Sequence, residues 1–168
     1  KGGVYEIPGN ISSQYISGLL VALPLLQEDS EILLTSPLQS IGYVKMTLEV
    51  LNKYGITIEK RPSGYKVPGG QRYSSPGRSS VEGDWSNGAF FIASGALNGS
   101  VTIEGLDINS TQRDKEILNL LSSGGARILQ EGRIIKSHRS SLKGQEIDVS
   151  EIPDLLPILA VVASLSQG

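Results

Sequence analysis

The chain has 168 residues, a formal net charge of −2, one histidine and no cysteine. Its near-neutral charge gives no electrostatic basis for binding nucleic acid. Without cysteine it has no disulfide, thiolate zinc site or cysteine nucleophile, and one histidine cannot build a multi-histidine metal site, so we predict no metal. No GxGxxG or Walker pattern supports a nucleotide-binding fold, and we predict no cofactor.

The first half of the chain has the element pattern of a βαβαββ unit. Val4 to Ile7 alternates like a strand, and the turn Gly9 to Tyr15 leads into a helix-patterned segment, Ile16 to Leu26. The other elements are then predicted in order: a strand at Glu31 to Thr35, a helix at Val44 to Leu51 that stops at Gly55, and a hairpin of Ile56 to Glu59 with Tyr65 to Val67.

The second half repeats this pattern. The predicted elements are a strand at Ser79 to Glu82, a helix at Ser86 to Leu97, a strand at Val101 to Glu104, a helix at Asp114 to Leu121, and a hairpin of Ala126 to Leu129 with Arg133 to Ile135. Gly55 and Gly125 are 70 residues apart, as are Leu48 and Leu118. The period is therefore a whole supersecondary unit.

A third block starts with a predicted strand at Ile147 to Val149 and enters the apolar helix Leu155 to Leu165. That run contains Pro157 and is too short to span a bilayer, and the first residues lack the apolar core of a signal peptide. We therefore expect a soluble protein, by default intracellular, with no membrane partner. The abrupt start and the ending just after this helix suggest a piece of something longer.

The helices that open the blocks begin with polar residues: Ser12, Ser13 and Gln14 in the first, Asp84 in the second, and Asp154 in the third. Such residues cap unpaired backbone N–H groups, and the helix dipole adds positive potential. Converging helix N-termini would suit a phosphorylated, carboxylated small molecule. The alternative interpretation is that these residues only cap their helices and that the repeats only pack against each other, with no ligand between them.

Some of these side chains also have a catalytic interpretation. Asp154, which lies 70 residues after Asp84, is either an N-cap or a general base. Asp84 has the same ambiguity. Ser40 and Tyr43 are spaced to share one face at the start of the second helix, where they are either surface residues or ligand contacts.

Together these segments resemble 5-enolpyruvylshikimate-3-phosphate synthases. The matching motifs are Gly9 to Leu20 with its Ser-Ser-Gln core, Ser40-x-x-Tyr43, Val81 to Ser86, and Ile152-Pro153-Asp154. Their order and approximate spacing match the middle of such an enzyme from one end of the chain to the other. The resemblance implies an α/β fold of repeated βαβαββ units, the inside-out α/β barrel of enolpyruvyl transferases. Residues 1–82 are then the last unit of the first domain, and 83–168 open the second.

The resemblance also implies the reaction and the site. The enolpyruvyl group of phosphoenolpyruvate passes to the 5-hydroxyl of shikimate 3-phosphate, and phosphate is released. By this analogy Ser12, Ser13 and Ser40 bind the shikimate phosphate, Gln14 lies between the substrates and Tyr43 lies against the ring. Asp154 then removes the 5-hydroxyl proton, with Asp84 as a supporting residue.

The chain departs from the family pattern at Ile41-Gly42, where many relatives have Lys-Pro. The Lys and Arg clusters that the family uses for phosphoenolpyruvate lie outside the chain, so we predict an inactive isolated chain. The resemblance also implies a monomer at full length and a cytoplasmic location in a bacterium, with a plastid location left open. The alternatives are a UDP-N-acetylglucosamine enolpyruvyl transferase, whose usual cysteine lies before this region, and a non-catalytic module that binds an anion or a protein partner.

Overall fold

The computed structural model describes residues 1–168. It contains two compact units, Lys1–Ser80 and Val81–Gly168, called unit 1 and unit 2 below. The assignment of residues 1–82 and 83–168 to two domains of a larger protein remains a prediction.

Unit 1 contains the elements β1 (Gly3–Ile7), α1 (Ser13–Ala22), β2 (Ser30–Leu34), α2 (Ile41–Lys53), β3 (Glu59–Arg61) and β4 (Gly64–Val67). Its sheet has the order β1-β2-β4-β3; β1 and β2 are parallel and the other neighbours are antiparallel. The core of the unit is made of side chains from both helices and the central strands, such as Ile16, Leu20, Ile32, Val44 and Val67. Each helix therefore returns along the sheet to the start of the next strand.

Unit 2 contains α3 (Trp85–Asn98), β5 (Ser100–Glu104), α4 (Ile117–Ser123), β6 (Arg127–Glu131), β7 (Ile134–His138) and α5 (Leu156–Ser164). Short 3-10 helices precede α4 and α5, at Arg113–Glu116 and Pro153–Leu155. The sheet has the order β5-β7-β6 and is antiparallel throughout. Its core includes the fully buried side chains of Trp85, Ile92, Ile117 and Leu155.

The repeat is visible at the end of the second helix in each unit. Gly55 has φ of 81° and Gly125 has φ of 99°, a left-handed conformation that favours glycine. The next residue donates its backbone N–H back into the last helical turn, from Ile56 to Leu51 and from Ala126 to Leu121. Both helices thus end in the same glycine-dependent cap, as their spacing predicts.

Several predicted boundaries are wrong for physical reasons. Ser79 to Glu82 forms no strand: Val81 is 94% exposed and pairs with nothing, so unit 2 lacks the first strand of the βαβαββ pattern.

Ile147 to Val149 is also not a strand, because the Asp148 side chain accepts a bond from the Ser150 N–H and forms a turn. Residue Ile56 belongs to the helix cap, so β3 begins only at Glu59.

The first helix is shorter than predicted. It ends at Ala22 and continues as a 3-10 helix at Leu23–Leu25, because Pro24 lacks the N–H that an α-helix needs. None of the helices of the chain combines the length and the apolar composition that a membrane-spanning segment needs.

Candidate functional site

The candidate residues of unit 1 lie at one edge of its sheet. Strands β1 and β2 are parallel, so their carboxyl ends meet at the same edge, and each leads through a loop into a helix N-terminus. The first loop carries Ser12 and the second carries Ser40. The topology therefore places both groups of predicted phosphate ligands on this edge.

Ser12 is the N-cap of α1, as the sequence predicts. Its backbone is extended, and its Oγ accepts a hydrogen bond of 3.2 Å from the backbone N–H of Gln14. Ser13 is half-buried and Gln14 is exposed, and neither side chain has a hydrogen-bond partner in the chain. The turn therefore offers a hydroxyl and an amide to a ligand beside the positive end of the helix.

Ser40 takes an unusual conformation at the start of α2. It is the one non-glycine residue with positive φ, at φ 53° and ψ 43°, and its side chain makes no capping bond. A left-handed serine costs on the order of 1–3 kcal/mol, and such strain clusters at ligand sites. The backbone N–H of Tyr43 bonds to the Ser40 carbonyl at 3.1 Å, so the two candidate residues lie in one turn. Tyr43 is half-buried.

The two helices that carry these residues are tied together. The Thr47 hydroxyl of α2 lies 2.9 Å from the Ser17 hydroxyl of α1 and 3.1 Å from the Tyr43 carbonyl oxygen. The loops above them are joined by a second pair of contacts, between Asn10 and Ser36 and between Gly9 and Gln39. The sequence did not predict these contacts, because the spacing of the residues that make them follows no helix or strand pattern.

In unit 2, Asp84 is the N-cap of α3. Its Oδ1 accepts from the backbone N–H groups of Ser86 (2.8 Å) and Asn87 (3.2 Å), and its Oδ2 accepts from the Asn87 side chain at 2.5 Å. Both carboxylate oxygens are thus occupied by the helix that they cap. This arrangement suits a supporting residue better than a base.

The segment around Asp84 is held by the loop that precedes α4. The Gln112 side chain accepts a bond of 2.9 Å from the Trp85 N–H and donates one of 3.0 Å to the Gly83 carbonyl. The Ser86 hydroxyl donates to the buried carboxylate of Asp114. These contacts, called the Gln112 clamp below, fix the start of α3. The sequence gives no sign of them, because the partners are 27 to 29 residues apart.

Asp154 has a different environment. It lies within the 3-10 helix Pro153–Leu155, whose N-cap residue is Ile152, so the N-cap alternative for Asp154 is wrong. It is exposed, and its carboxylate makes no hydrogen bond or ion pair within the chain. The buried side chains of Ile152 and Leu155 anchor this turn on both sides, and the turn packs against α3. A fixed backbone thus presents a carboxylate with free oxygens, which is what a general base requires.

Among the candidate residues, Ser12, Ser13, Gln14, Ser40 and Tyr43 therefore share one edge of unit 1, whereas Asp84 and Asp154 belong to unit 2. No group of three or more His, Cys, Asp or Glu side chains in the chain is arranged to hold a metal ion.

Comparison with known proteins connects this arrangement to a family. The chain is 46% identical to the 3-phosphoshikimate 1-carboxyvinyltransferase of Methanocaldococcus jannaschii and 43% identical to that of Clostridium perfringens. The matches cover 99% and 100% of the chain but 39% and 40% of these relatives. The chain therefore spans about two fifths of the length of the curated relatives that it matches.

Solved structures show the same fold at low sequence identity. EPSP synthase from Acinetobacter baumannii superposes with a TM-score of 0.72 at 23% identity, over 100% of this chain and 39% of that one. The enolpyruvyl transferase NikO from Streptomyces tendae gives 0.73 at 17%, over 100% and 43%. The chain thus has the α/β fold of enolpyruvyl transferases. The sequence model of EPSP synthase (3-phosphoshikimate 1-carboxyvinyltransferase) matches residues 1–168, so the chain belongs to the EPSP synthase family.

Proposed function

We propose that the protein containing this chain transfers the enolpyruvyl group of phosphoenolpyruvate to the 5-hydroxyl of shikimate 3-phosphate. In this reaction a C–O bond forms between the 5-oxygen and the enolpyruvyl carbon, the bond from that carbon to the phosphate oxygen breaks, and inorganic phosphate leaves. The observation that carries the proposal is the match to the EPSP synthase family along the whole chain. The activity belongs to the longer protein, because the chain covers about two fifths of its relatives.

The phosphate of shikimate 3-phosphate is assigned to Ser12, Ser13 and Ser40. Support comes from the shared edge of unit 1, where hydroxyl groups lie beside the N-termini of α1 and α2. Unpaired N–H groups and the helix dipole favour an anion there. Gln14, whose amide is exposed, is assigned to the space between the two substrates, and Tyr43 to the shikimate ring.

Asp154 is assigned as the base that takes the 5-hydroxyl proton. The support is its free carboxylate on an anchored turn, which requires no bond to be broken before it accepts a proton. Asp84 is assigned a supporting role through the cap of α3, since its oxygens are already bonded. Serine hydroxyls and backbone N–H groups can stabilise the charged substrates by donating hydrogen bonds.

The remaining contacts to phosphoenolpyruvate are assigned to parts of the full-length protein beyond this chain. We accordingly expect no turnover by the 168-residue chain alone and, for the full-length protein, a monomer in the cytoplasm.

The test is phosphate release from phosphoenolpyruvate by the complete open reading frame that encodes this chain. Each assay offers shikimate 3-phosphate or UDP-N-acetylglucosamine. Release with shikimate 3-phosphate alone is the expected result. Release only with the nucleotide sugar would move the protein to the related transferases, and no release with either would refute the proposal.

A further inference from the structure

We propose that Asn10 and Ser36 are positioning residues that hold the two halves of the shikimate 3-phosphate site at a fixed separation. The first half is Ser12, Ser13 and Gln14, and the second is Ser40 with Tyr43. The inference rests on the proposed function, and it assigns a role to residues outside the set that contacts the substrate.

The contact joins two loops that are distant in sequence. The Ser36 hydroxyl donates a hydrogen bond of 2.7 Å to the Asn10 side-chain oxygen across 26 residues, and the Gln39 N–H donates one of 3.0 Å to the Gly9 carbonyl. We call these two bonds the loop clasp. They connect the β1–α1 loop directly to the β2–α2 loop.

The close approach of the loops depends on a glycine. A Cβ atom at Gly9 would lie 2.6 Å from the Ser36 carbonyl oxygen and 2.9 Å from the Leu38 Cα. Both contacts are with backbone, which cannot move aside as a flexible side chain can. Gly9 is therefore needed for space, and the loops are packed against each other as well as bonded.

The loop clasp lies immediately before the assigned ligands in both loops. Asn10 is two residues before Ser12, and Ser36 is four residues before Ser40. A phosphate held by hydroxyls from both loops needs donors within hydrogen-bond distance on both sides, about 2.7–3.1 Å. Removing the Asn10–Ser36 bond leaves the loops joined by the Gln39–Gly9 bond alone, so the two halves of the site lose part of what fixes their separation.

The exposure of the contact argues for a local role. The bond between Asn10 and Ser36 is solvent-exposed, so its loss leaves no buried polar group without a partner and should not prevent folding. The bond between Ser17 and Thr47 still ties α1 to α2 below the loops. Loss of the Asn10–Ser36 bond should therefore affect the ligand site more than the fold.

The test uses the complete open reading frame and steady-state kinetics with each substrate varied. Ser36→Ala and Asn10→Ala should each raise KM for shikimate 3-phosphate by about fivefold, the effect of one net hydrogen bond. The double variant should match either single variant, because the pair acts as one unit. Ser36→Thr keeps the hydroxyl and should restore the original KM, and in the alanine variants KM should rise more for shikimate 3-phosphate than for phosphoenolpyruvate.

Tyr73→Phe is the matched control. The Tyr73 hydroxyl donates a bond of the same 2.7 Å length to the Val21 carbonyl, at the other end of α1. It should leave KM for shikimate 3-phosphate unchanged. The inference is overturned if the loop variants keep the original KM, if their effects add, or if the control raises KM equally. Absence of turnover in the unsubstituted protein would instead overturn the proposed function, and this inference with it.

Discussion

Asp84 and Asp154 are equivalent by the spacing of the sequence repeat, but Asp84 is an N-cap and Asp154 is the second residue of a 3-10 helix. They are 70 residues apart, and each lies at the start of a helix that follows a short polar segment. Asp84 caps the backbone of α3 with Oδ1 and accepts from the Asn87 side chain with Oδ2, whereas the Asp154 carboxylate makes no bond within the chain. The same residue at the same repeat position is therefore structural in one copy and chemically available in the other.

The segments that lead into these residues differ as well. Residues before and after Asp84 are held by the Gln112 clamp, with partners from a separate loop. The segment before Asp154 is ordered by local turns, through the bond from the Ser150 N–H to Asp148 and the burial of Ile152. A proline at the first position of the 3-10 helix takes the place of a side-chain cap. The carboxylate is thus left free because the helix start does not need it.

Among the substitutions that distinguish Asp154 from Asp84, Asp154→Asn in the complete protein should have the largest effect on kcat. The amide cannot accept the 5-hydroxyl proton, so kcat should fall by about 10²–10⁴-fold. The thermal unfolding midpoint should not change, because the carboxylate makes no bond within the chain. Asp84→Asn is the comparison: asparagine still caps a helix, so its loss of kcat should be smaller. An equal or larger loss at Asp84 would reverse the assignment of the base.

Gln112→Ala should weaken unit 2 by removing the clamp. It leaves the Trp85 N–H and the Gly83 carbonyl without their partner, which should lower the free energy of unfolding by about 1–3 kcal/mol. Urea unfolding of the 168-residue chain, followed by Trp85 fluorescence, reports on this unit, because Trp85 is the only tryptophan of the chain. Gln130→Ala, on the exposed face of β6, is the control and should change stability by less than about 0.5 kcal/mol. Equal losses would show that the clamp contributes nothing specific.

The helix caps and helix ends could be predicted from the sequence because they depend on local residues. Ser12 and Asp84 are N-caps, and Gly55 and Gly125 end helices, because each depends on residues within one turn. The family motifs identified the fold. The predicted strand at Ser79 to Glu82 failed because a strand needs a neighbour, which its own alternation cannot reveal.

The parts of the site that could not be predicted depend on distant partners or on backbone strain. The Ser36 contact with Asn10 spans 26 residues, and neither residue belongs to a periodic pattern. Ser40 is left-handed although serine shows no preference for that region. The sequence also could not show which carboxylate is free to react, since only the structure shows that Asp154 lacks the bonds that Asp84 makes.

Alanine substitution should separate the two aspartates by stability as well. Asp84→Ala removes the cap from two backbone N–H groups of α3 and should cost about 1 kcal/mol. Asp154→Ala removes no bond and should stay within about 0.5 kcal/mol of the original protein. Urea midpoints of the two variants, measured with Trp85 fluorescence, give the comparison directly. If the Asp154 variant were the less stable one, its carboxylate would have a structural partner after all.

The smallest expected effect is the acid response of the turn before Asp154. The Ser150 N–H holds the pKa of Asp148 below its usual value of 3.8. A carboxyl with a lowered folded pKa contributes stability above its unfolded pKa, and this contribution is lost as pH falls through the folded value.

Asp148→Asn keeps a side-chain oxygen for the turn but cannot titrate. The stability difference between the original protein and this variant should therefore shrink as pH is lowered from about 5 to about 3. A difference that stays constant over this range would mean that Asp148 titrates alike in the folded and unfolded chain, and that the turn before Asp154 depends on the burial of Ile152 alone.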